Sequence, residues 1–481
     1  MLQYFQDGAN LLILALGMIC IQKRRADLLI HLVAFGLSIG LFNTYRFGVL
    51  WSPVKVASTC CLLFVVLNSR ILRQFCARKG QRDYLVLFSL SLICSLIVTI
   101  PLSDGVSGPD SGLRGTVLRP LVNAYHYVSF ACIIVVAVAG LSDIRKTRSF
   151  FEFFIGLTVV ESLIAWFQFA LIRTGRPFVP IPRLDGKISK VAGFKLNNEF
   201  THRLYAFAGE PKQLAAFLLP AVTTLLILAV LVNVRRGWAR HVSQLLLLMF
   251  PVIVLTHSTA AIAAVVLSVL VTVALIGGRL TGTMIKYVFA VALILGVTFA
   301  FYSYSRNDSN RGGSFIEVLS DRSFKRLEAE SSSRLELQTI RYMVNENPVS
   351  IPFGLGPGMY AFHMHSTFRD FVQQISSGWI TLFADLGLCG VMCVFSACWY
   401  LVRHGGKLAL AAHGGDVEHR FCLGASVAAL IGAMAINIGT LSLPNLALFV
   451  GIGLAAIRAV EKSKQRVPLF ERDVVRVAQN V

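Results

Sequence analysis

About 13 apolar stretches, some of them shorter than the roughly 20 residues that one helical crossing of a bilayer needs, divide this chain of 481 residues. They centre on residues 8–21, 27–43, 54–68, 84–101, 121–141, 151–172, 213–233, 242–256, 259–277, 287–304, 378–401, 421–439 and 445–459. Such a pattern leaves little choice of fold. Backbone groups inside hydrocarbon must bond within their own segment, so each stretch is expected as an α-helix. Composition points the same way: 55% of residues are hydrophobic and 15% charged, against roughly 25% charged in a soluble domain. The expected class is an all-α polytopic membrane protein, with a transmembrane domain over 1–460 and a basic tail over 461–481. The first apolar run, Leu11 to Ile21, precedes Lys23-Arg24-Arg25. A secretory signal has the opposite order, so an uncleaved first helix is expected.

The net charge of +20 does not call for nucleic acid as a partner, because the cytoplasmic connections of membrane proteins collect Lys and Arg. The basic runs Lys23 to Arg25, Arg70 to Arg82, Arg145 to Arg148, Arg235 to Arg240, Arg279 to Lys286, Arg403 to Arg420 and the tail after Lys462 alternate correctly with the apolar stretches to share one face. The connections 102–120, 173–212 and 306–377 then share the other. None of the ten cysteines lies in the two long connections, so neither a disulfide framework nor a zinc site is expected there. Cys389 and Cys393, one turn apart in an apolar stretch, read as small core residues.

Connection 173–212 carries Arg173, Arg176, Arg183, Lys187, Lys190, Lys195, Arg203 and Lys212 against Asp185, Glu199 and Glu210. It is either a solvated excess of charge or a pocket for a phosphate-bearing ligand. Its end, Arg203 to Pro211, enters a helix with Pro at the first position, where free N–H groups can meet an anion and Glu210 can cap.

In connection 306–377, Ser333-Arg334-Leu335-Glu336 reads as a capping box and Pro348 as the stop of a short helix. Arg334, Gln338, Arg341 and Asn345 form one stripe, and Leu337, Ile340 and Val344 form an apolar stripe expected to lie on the membrane domain. Gly354, Gly356 and Gly358 allow close backbone approach, either as a phosphate cradle or as a plain tight turn. His363 and His365 have the alternation of an extended segment, and either one is chemically suited to act as a general base near neutral pH. Glu161, Asp385, His31 and His126 are ionisable residues within apolar stretches, where they are costly unless paired. Asp385 is expected to face the interior and orient an arginine.

Taken in order, these segments resemble the O-antigen ligase and polysaccharide polymerase superfamily of bacterial inner membranes. The resemblance rests on Arg203 to Pro211, the arginine helix Arg334 to Pro348, the Gly354 to Gly358 turn with its His-x-His, and the Gly378 to Gly390 helix start; it spans roughly residues 150–440. Ser366 and Thr367 stand where several members carry Asn, and Thr256-His257-Ser258 where a Ser-Arg is common. The resemblance implies a C-type glycosyltransferase architecture in the bacterial inner membrane, with the long loops periplasmic and with no metal or other cofactor. The implied donor is an undecaprenyl-pyrophosphate-linked glycan. Arg203 and Arg334 would clamp the pyrophosphate, with His365 or His363 as base or acceptor orienter. Arg341, Glu210, Gly354, Gly356, Gly358 and Asp385 are the further candidate substrate contacts. The implied activity is repeat-unit polymerisation, alongside a flippase and a chain-length regulator. The alternatives are a ligase to lipid A core or protein, and a flippase.

Alternation of charge predicts that reporter fusions at Arg240 and Arg403 face the cytoplasm, and fusions at Lys190 and Ser323 the opposite compartment. Opposite signals from Lys190 and Ser323 would separate the two candidate loops.

Overall fold

The computed structural model describes residues 2–46, 49–102, 118–174, 193–196, 199–202, 204–231, 241–256, 258–276, 335–363, 367–368, 371–372, 375–411 and 417–466. The chain is a multi-pass helical membrane protein. Its described helices are α1 (Leu2–Gln22), α2 (Ala26–Ser38), α3 (Pro53–Leu67), α4 (Ser69–Cys76), α5 (Lys79–Leu102), α6 (Leu118–Gly140), α7 (Ile144–Arg173), α8 (Pro211–Leu231), α9 (Val242–Leu255), α10 (Thr259–Ile276), α11 (Leu335–Asn345), α12 (Ser350–Phe353), α13 (Tyr360–His363), α14 (Gly378–Ala411), α15 (Val417–Ile436) and α16 (Leu443–Arg466). Seven of these are long and apolar enough to cross a membrane. An eighth crossing results if α3 and α4, bent by 86°, count as one span. α1, α2, α9 and α10 contain shorter apolar helices. The stretch 287–304 lies outside the described residues. The all-α expectation needs one amendment: three two-stranded antiparallel hairpins, Thr44–Trp51, Gly193–His202 and Thr367–Val372, occupy connections.

α8, α15 and α16 are the most enclosed of the long helices, and α5 and α7 are the most peripheral. Phe154 ties α7 to this centre, with its ring 5.3 Å from Phe217 and 5.2 Å from Phe449. Lipid-facing stripes fall at helical spacing, as Leu90, Ile93 and Ile97 on α5 and as Leu388, Met392, Phe395 and Trp399 on α14. Pro220 inside α8 removes the N–H that would reach the Ala216 carbonyl. The Asn445 side chain from α16 supplies the missing donor at 2.7 Å. Lipid itself offers no donor that could replace it.

Among the described residues, basic runs meet acidic partners at one end of the bundle; the runs Arg235 to Arg240 and Arg279 to Lys286 lie outside the described residues. Asp27 takes Arg25 at 2.9 Å and Lys146 at 3.9 Å, Arg148 takes Glu418 at 3.1 Å, and Arg78 takes Glu461 at 2.8 Å. These exposed pairs are each worth about 0–1 kcal/mol, so they mark orientation more than they stabilise.

Gly432 on α15 lets α8 approach closely: a Cβ there would meet Thr223 Oγ1 at 2.6 Å and Pro220 Cα at 3.0 Å. Gly432→Val is expected to destabilise the detergent-purified protein by about 1–3 kcal/mol through overpacking. Gly156→Ala, with nothing within 4 Å, should not. Thermal unfolding of the two variants checks this, and equal melting would place no weight on the α8–α15 contact.

Candidate functional site

At the end of the bundle away from the ion pairs, two polar connections converge on one turn. The 437–442 turn between α15 and α16 accepts the Gly378 N–H through Asn437 O at 2.8 Å. It accepts the Gln213 side chain through Leu441 O at 3.3 Å. The start of α14, which follows the large connection, and the start of α8, which follows the basic one, are thereby neighbours.

α14 is broken at Gly387, whose φ of 67° and ψ of −168° take it out of helical geometry. The break frees backbone carbonyls, and each of three consecutive ones finds a donor from elsewhere. Ala384 O accepts the Leu355 N–H at 2.7 Å. Asp385 O accepts the Ser95 hydroxyl, and Leu386 O accepts the Ser91 hydroxyl at 3.3 Å. Ser91 and Ser95 are one turn apart on α5, so one face of that helix serves both.

The glycine turn packs backbone to backbone on this break. A Cβ on Gly354 would lie 2.4 Å from Asp385 O, and one on Gly387 would lie 2.4 Å from Phe353 N. Gly354, Gly356 and Gly358 all have positive φ, at 84°, 101° and 73°, where side chains are strained. All three are buried. The N–H of Gly354 goes to Ser350 O at 2.7 Å and that of Gly358 to Asp385 Oδ1 at 2.9 Å. At those two positions the N–H groups are taken by the protein itself, by a backbone carbonyl at Gly354 and by the Asp385 carboxylate at Gly358.

Asp385 is 3% exposed, and its second oxygen accepts the Tyr127 hydroxyl at 2.8 Å. An arginine is present at this turn: Arg119 Nε donates to Gly358 O at 2.7 Å, on the residue whose N–H Asp385 accepts. The Arg119 guanidinium also lies 5.0 Å from the centre of the Phe362 ring. Sequence reasoning passed over Arg119 and Tyr127 because both sit in an ordinary apolar helix with no motif around them. A cation opening an apolar helix was the available signal.

α11 forms as expected, but its buried stripe is Leu335, Thr339 and Met343. Leu337 and Val344, expected inward, are exposed. The core that selects this face is built from Leu355, Tyr360, Ile375 and Ala384. Glu336 accepts the Ser376 N–H at 2.9 Å, and Ser333, the expected cap, lies outside the described residues. Arg341 is exposed on the outer side of α11. His363 ends the single turn α13 instead of lying in an extended strand, and it is 6% exposed. Its Nδ1 is 3.4 Å from the Tyr342 hydroxyl, which accepts from Asn347 Nδ2 at 2.6 Å. Burial first, then the charge of Glu346, pushes the Tyr342 hydroxyl above its usual pKa. Tyr360 is pushed up too, by burial and then by Asp385, and its hydroxyl accepts the Ile375 N–H at 3.2 Å. Arg203, Arg334 and His365 lie outside the described residues.

The basic connection reaches the same end through α7. Gln168 Oε1, fully buried, accepts the N–H groups of Tyr205 and Ala206, each at 3.0 Å. Glu161 Oε2 accepts the Phe207 N–H at 3.1 Å. Glu161 is thus an anchor for the segment that leads to Glu210. Glu210 caps α8 through its carbonyl, which accepts the Leu214 N–H at 2.9 Å, with Pro211 at the first helical position. No family model matches the chain, and no curated protein matches it.

Removing the Asp385 carboxylate leaves a buried N–H and a buried hydroxyl without their acceptor, at about 1–3 kcal/mol each. Asp385→Ala should therefore loosen the turn, raising hydrogen exchange at residues 354–363 while exchange in α15 stays unchanged. Asp385→Asn, which retains an acceptor, should lie between. Exchange at the turn unaltered in Asp385→Ala would remove the carboxylate from its role.

Proposed function

We propose that the chain is a polysaccharide polymerase that joins undecaprenyl-pyrophosphate-linked repeat units at the outer face of a bacterial inner membrane. In this reading the 13 stretches all cross the bilayer, and connections 173–212 and 306–377 lie in the periplasm. The observation that carries the reading is the convergence of the two polar connections on the 437–442 turn, which brings the basic segment and the glycine turn to one end of the bundle. Glycosyl transfer from a lipid diphosphate needs this arrangement. An acceptor hydroxyl attacks the anomeric carbon, the anomeric C–O bond breaks with inversion, and the diphosphate leaves with the bonding pair. Charge grows on the leaving group, so cations fixed beside it lower the barrier more than they improve binding. Arg203 and Arg334 fill that role here. A loop histidine, His365 or His363, takes the acceptor proton, and Arg341 and Glu210 face the glycan.

Deleting the gene is expected to leave single repeat units on the lipid carrier, or on lipid A core where a ligase is present. Long chains accumulating on the carrier would identify a ligase instead. In membranes with matched protein levels, Arg203→Ala and Arg334→Ala should each reduce glycan chain formation by about 100–1,000-fold. Lysine at either position should be less damaging, because it keeps charge but loses the planar fork. Arg306→Ala and Arg311→Ala should be tolerated. Wild-type product from both arginine variants would overturn the mechanism.

A further inference from the structure

Arg458 lies on α16, five residues before the end of its apolar span at Ser463. At 1.5 Å per residue it is roughly 8 Å inside that end. Its guanidinium offers a fork of N–H donors, and the fold uses little of it. Nη2 donates to the Gln81 side chain in the first turn of α5, and among the described residues no other acceptor meets the guanidinium. Nε is buried and has no acceptor. The group also lies 5.7 Å from the centre of the Phe75 ring on α4, so it is held in place between α4 and α5. Glu461, three residues further along α16, is the natural partner on the same helix. It pairs with Arg78 instead, at 2.8 Å. A buried donor left in this state in a native fold calls for an acceptor from outside the chain.

The surroundings narrow the ligand by charge and by depth. Segment 69–82, which forms α4 and enters α5, holds Arg70, Arg73, Arg78, Lys79 and Arg82 and no acidic residue. All five are exposed. Arg78 pairs with Glu461 and Arg82 with Asp83, whereas Arg70, Arg73 and Lys79 have no ion pair among the described residues. The ligand is therefore an anion. α4 turns 86° away from α3, and Val66 and Leu67 at the bend are exposed together with Leu72. Exposed apolar side chains beside exposed arginines place this corner where lipid headgroups meet acyl chains. The anion that occurs at that depth is the phosphate of a lipid, and a basic recess between membrane helices is a setting that binds such headgroups.

We propose that the corner between α4, the start of α5 and the end of α16 is a headgroup site for an anionic phospholipid, whose phosphate accepts from Arg458 and is drawn in by the exposed cations of α4. Gln81 and Phe75 set the guanidinium in advance, which reduces the ordering cost of binding. Arg78 acts through Glu461, by keeping that carboxylate off Arg458. In the orientation that charge alternation predicts, the lipid sits in the cytoplasmic leaflet. The site is independent of the polymerase reading.

The test is lipid binding to the full-length protein in detergent, read by native mass spectrometry. Phosphatidylglycerol, phosphatidylcholine and inorganic phosphate serve as probes. The first phosphatidylglycerol is expected to bind about tenfold or more tighter than the first phosphatidylcholine, the size of one charge-assisted hydrogen bond. Arg458→Gln should abolish that preference, and Arg458→Lys, which keeps the charge but loses the fork, should retain part of it. Glu461→Gln removes a carboxylate beside the site and should tighten phosphatidylglycerol binding. Arg403→Gln, at an exposed position of α14, should behave as wild type. Equal affinity of the wild type for the two lipids overturns the site, as does a wild-type preference in Arg458→Gln. If Arg458→Gln does not fold, the surface variant Glu461→Gln decides, and unchanged affinity there overturns the site. Loss of the preference in Arg403→Gln would replace the site with general surface charge. Displacement of phosphatidylglycerol by an equal concentration of inorganic phosphate would overturn the assignment to a lipid.

Discussion

The break at Gly387 is the constraint on which the rest of this structure depends. A membrane helix cannot interrupt its hydrogen-bond ladder without offering each freed carbonyl another donor, because lipid supplies none. Here the donors come from two sources: the serines of α5 and the backbone of the glycine turn. Helix and turn are therefore interdependent. The turn cannot leave without exposing the Ala384 carbonyl, and its backbone leaves no room for a side chain at Gly387. Asp385 sits at the same break and adds its carboxylate to the Gly358 N–H. The glycine turn is thus fastened to the membrane domain.

That fastening extends through the large connection. Tyr360 holds the Ile375 N–H and Glu336 holds the Ser376 N–H, so the chain entering α14 is tied to both α11 and α13. On the opposite side of the 437–442 turn, Gln168 and Glu161 fasten the end of the basic connection in the same manner, side chain of a membrane helix to backbone of a loop. Buried polar residues in the helices are costly, and in both places the compensation is a loop whose backbone donors they satisfy.

The membrane class was legible in the sequence, because apolar length is a strong signal and each stretch within the described residues became a helix. The one-sided grouping of basic runs was legible for a similar reason: Arg25, Lys146 and Arg148 do meet acidic partners at one end. The glycine spacing foretold close backbone approach but not its object, since a positive φ looks alike whether the neighbour is a phosphate or a carbonyl. The inward face of α11 was misjudged because Leu337 and Val344 are more apolar than Thr339, and tertiary context favoured the stripe that meets Leu355 and Tyr360. Arg119 was invisible because its importance lies in a contact 239 residues away in sequence.

Arg119 connects these levels. Its Nε joins the start of α6 to the glycine turn, its charge reaches Asp385, and its guanidinium covers Phe362. A cation so placed serves two demands at once. It replaces, for the Gly358 carbonyl, the water that burial excludes, and it presents positive potential at the rim of a low-dielectric body, where charge acts more strongly than in water. For a reaction whose leaving group gains negative charge, the second demand is served best by groups that do not have to move when that charge appears. The interlock of α14, α5, α6 and the turn supplies that immobility.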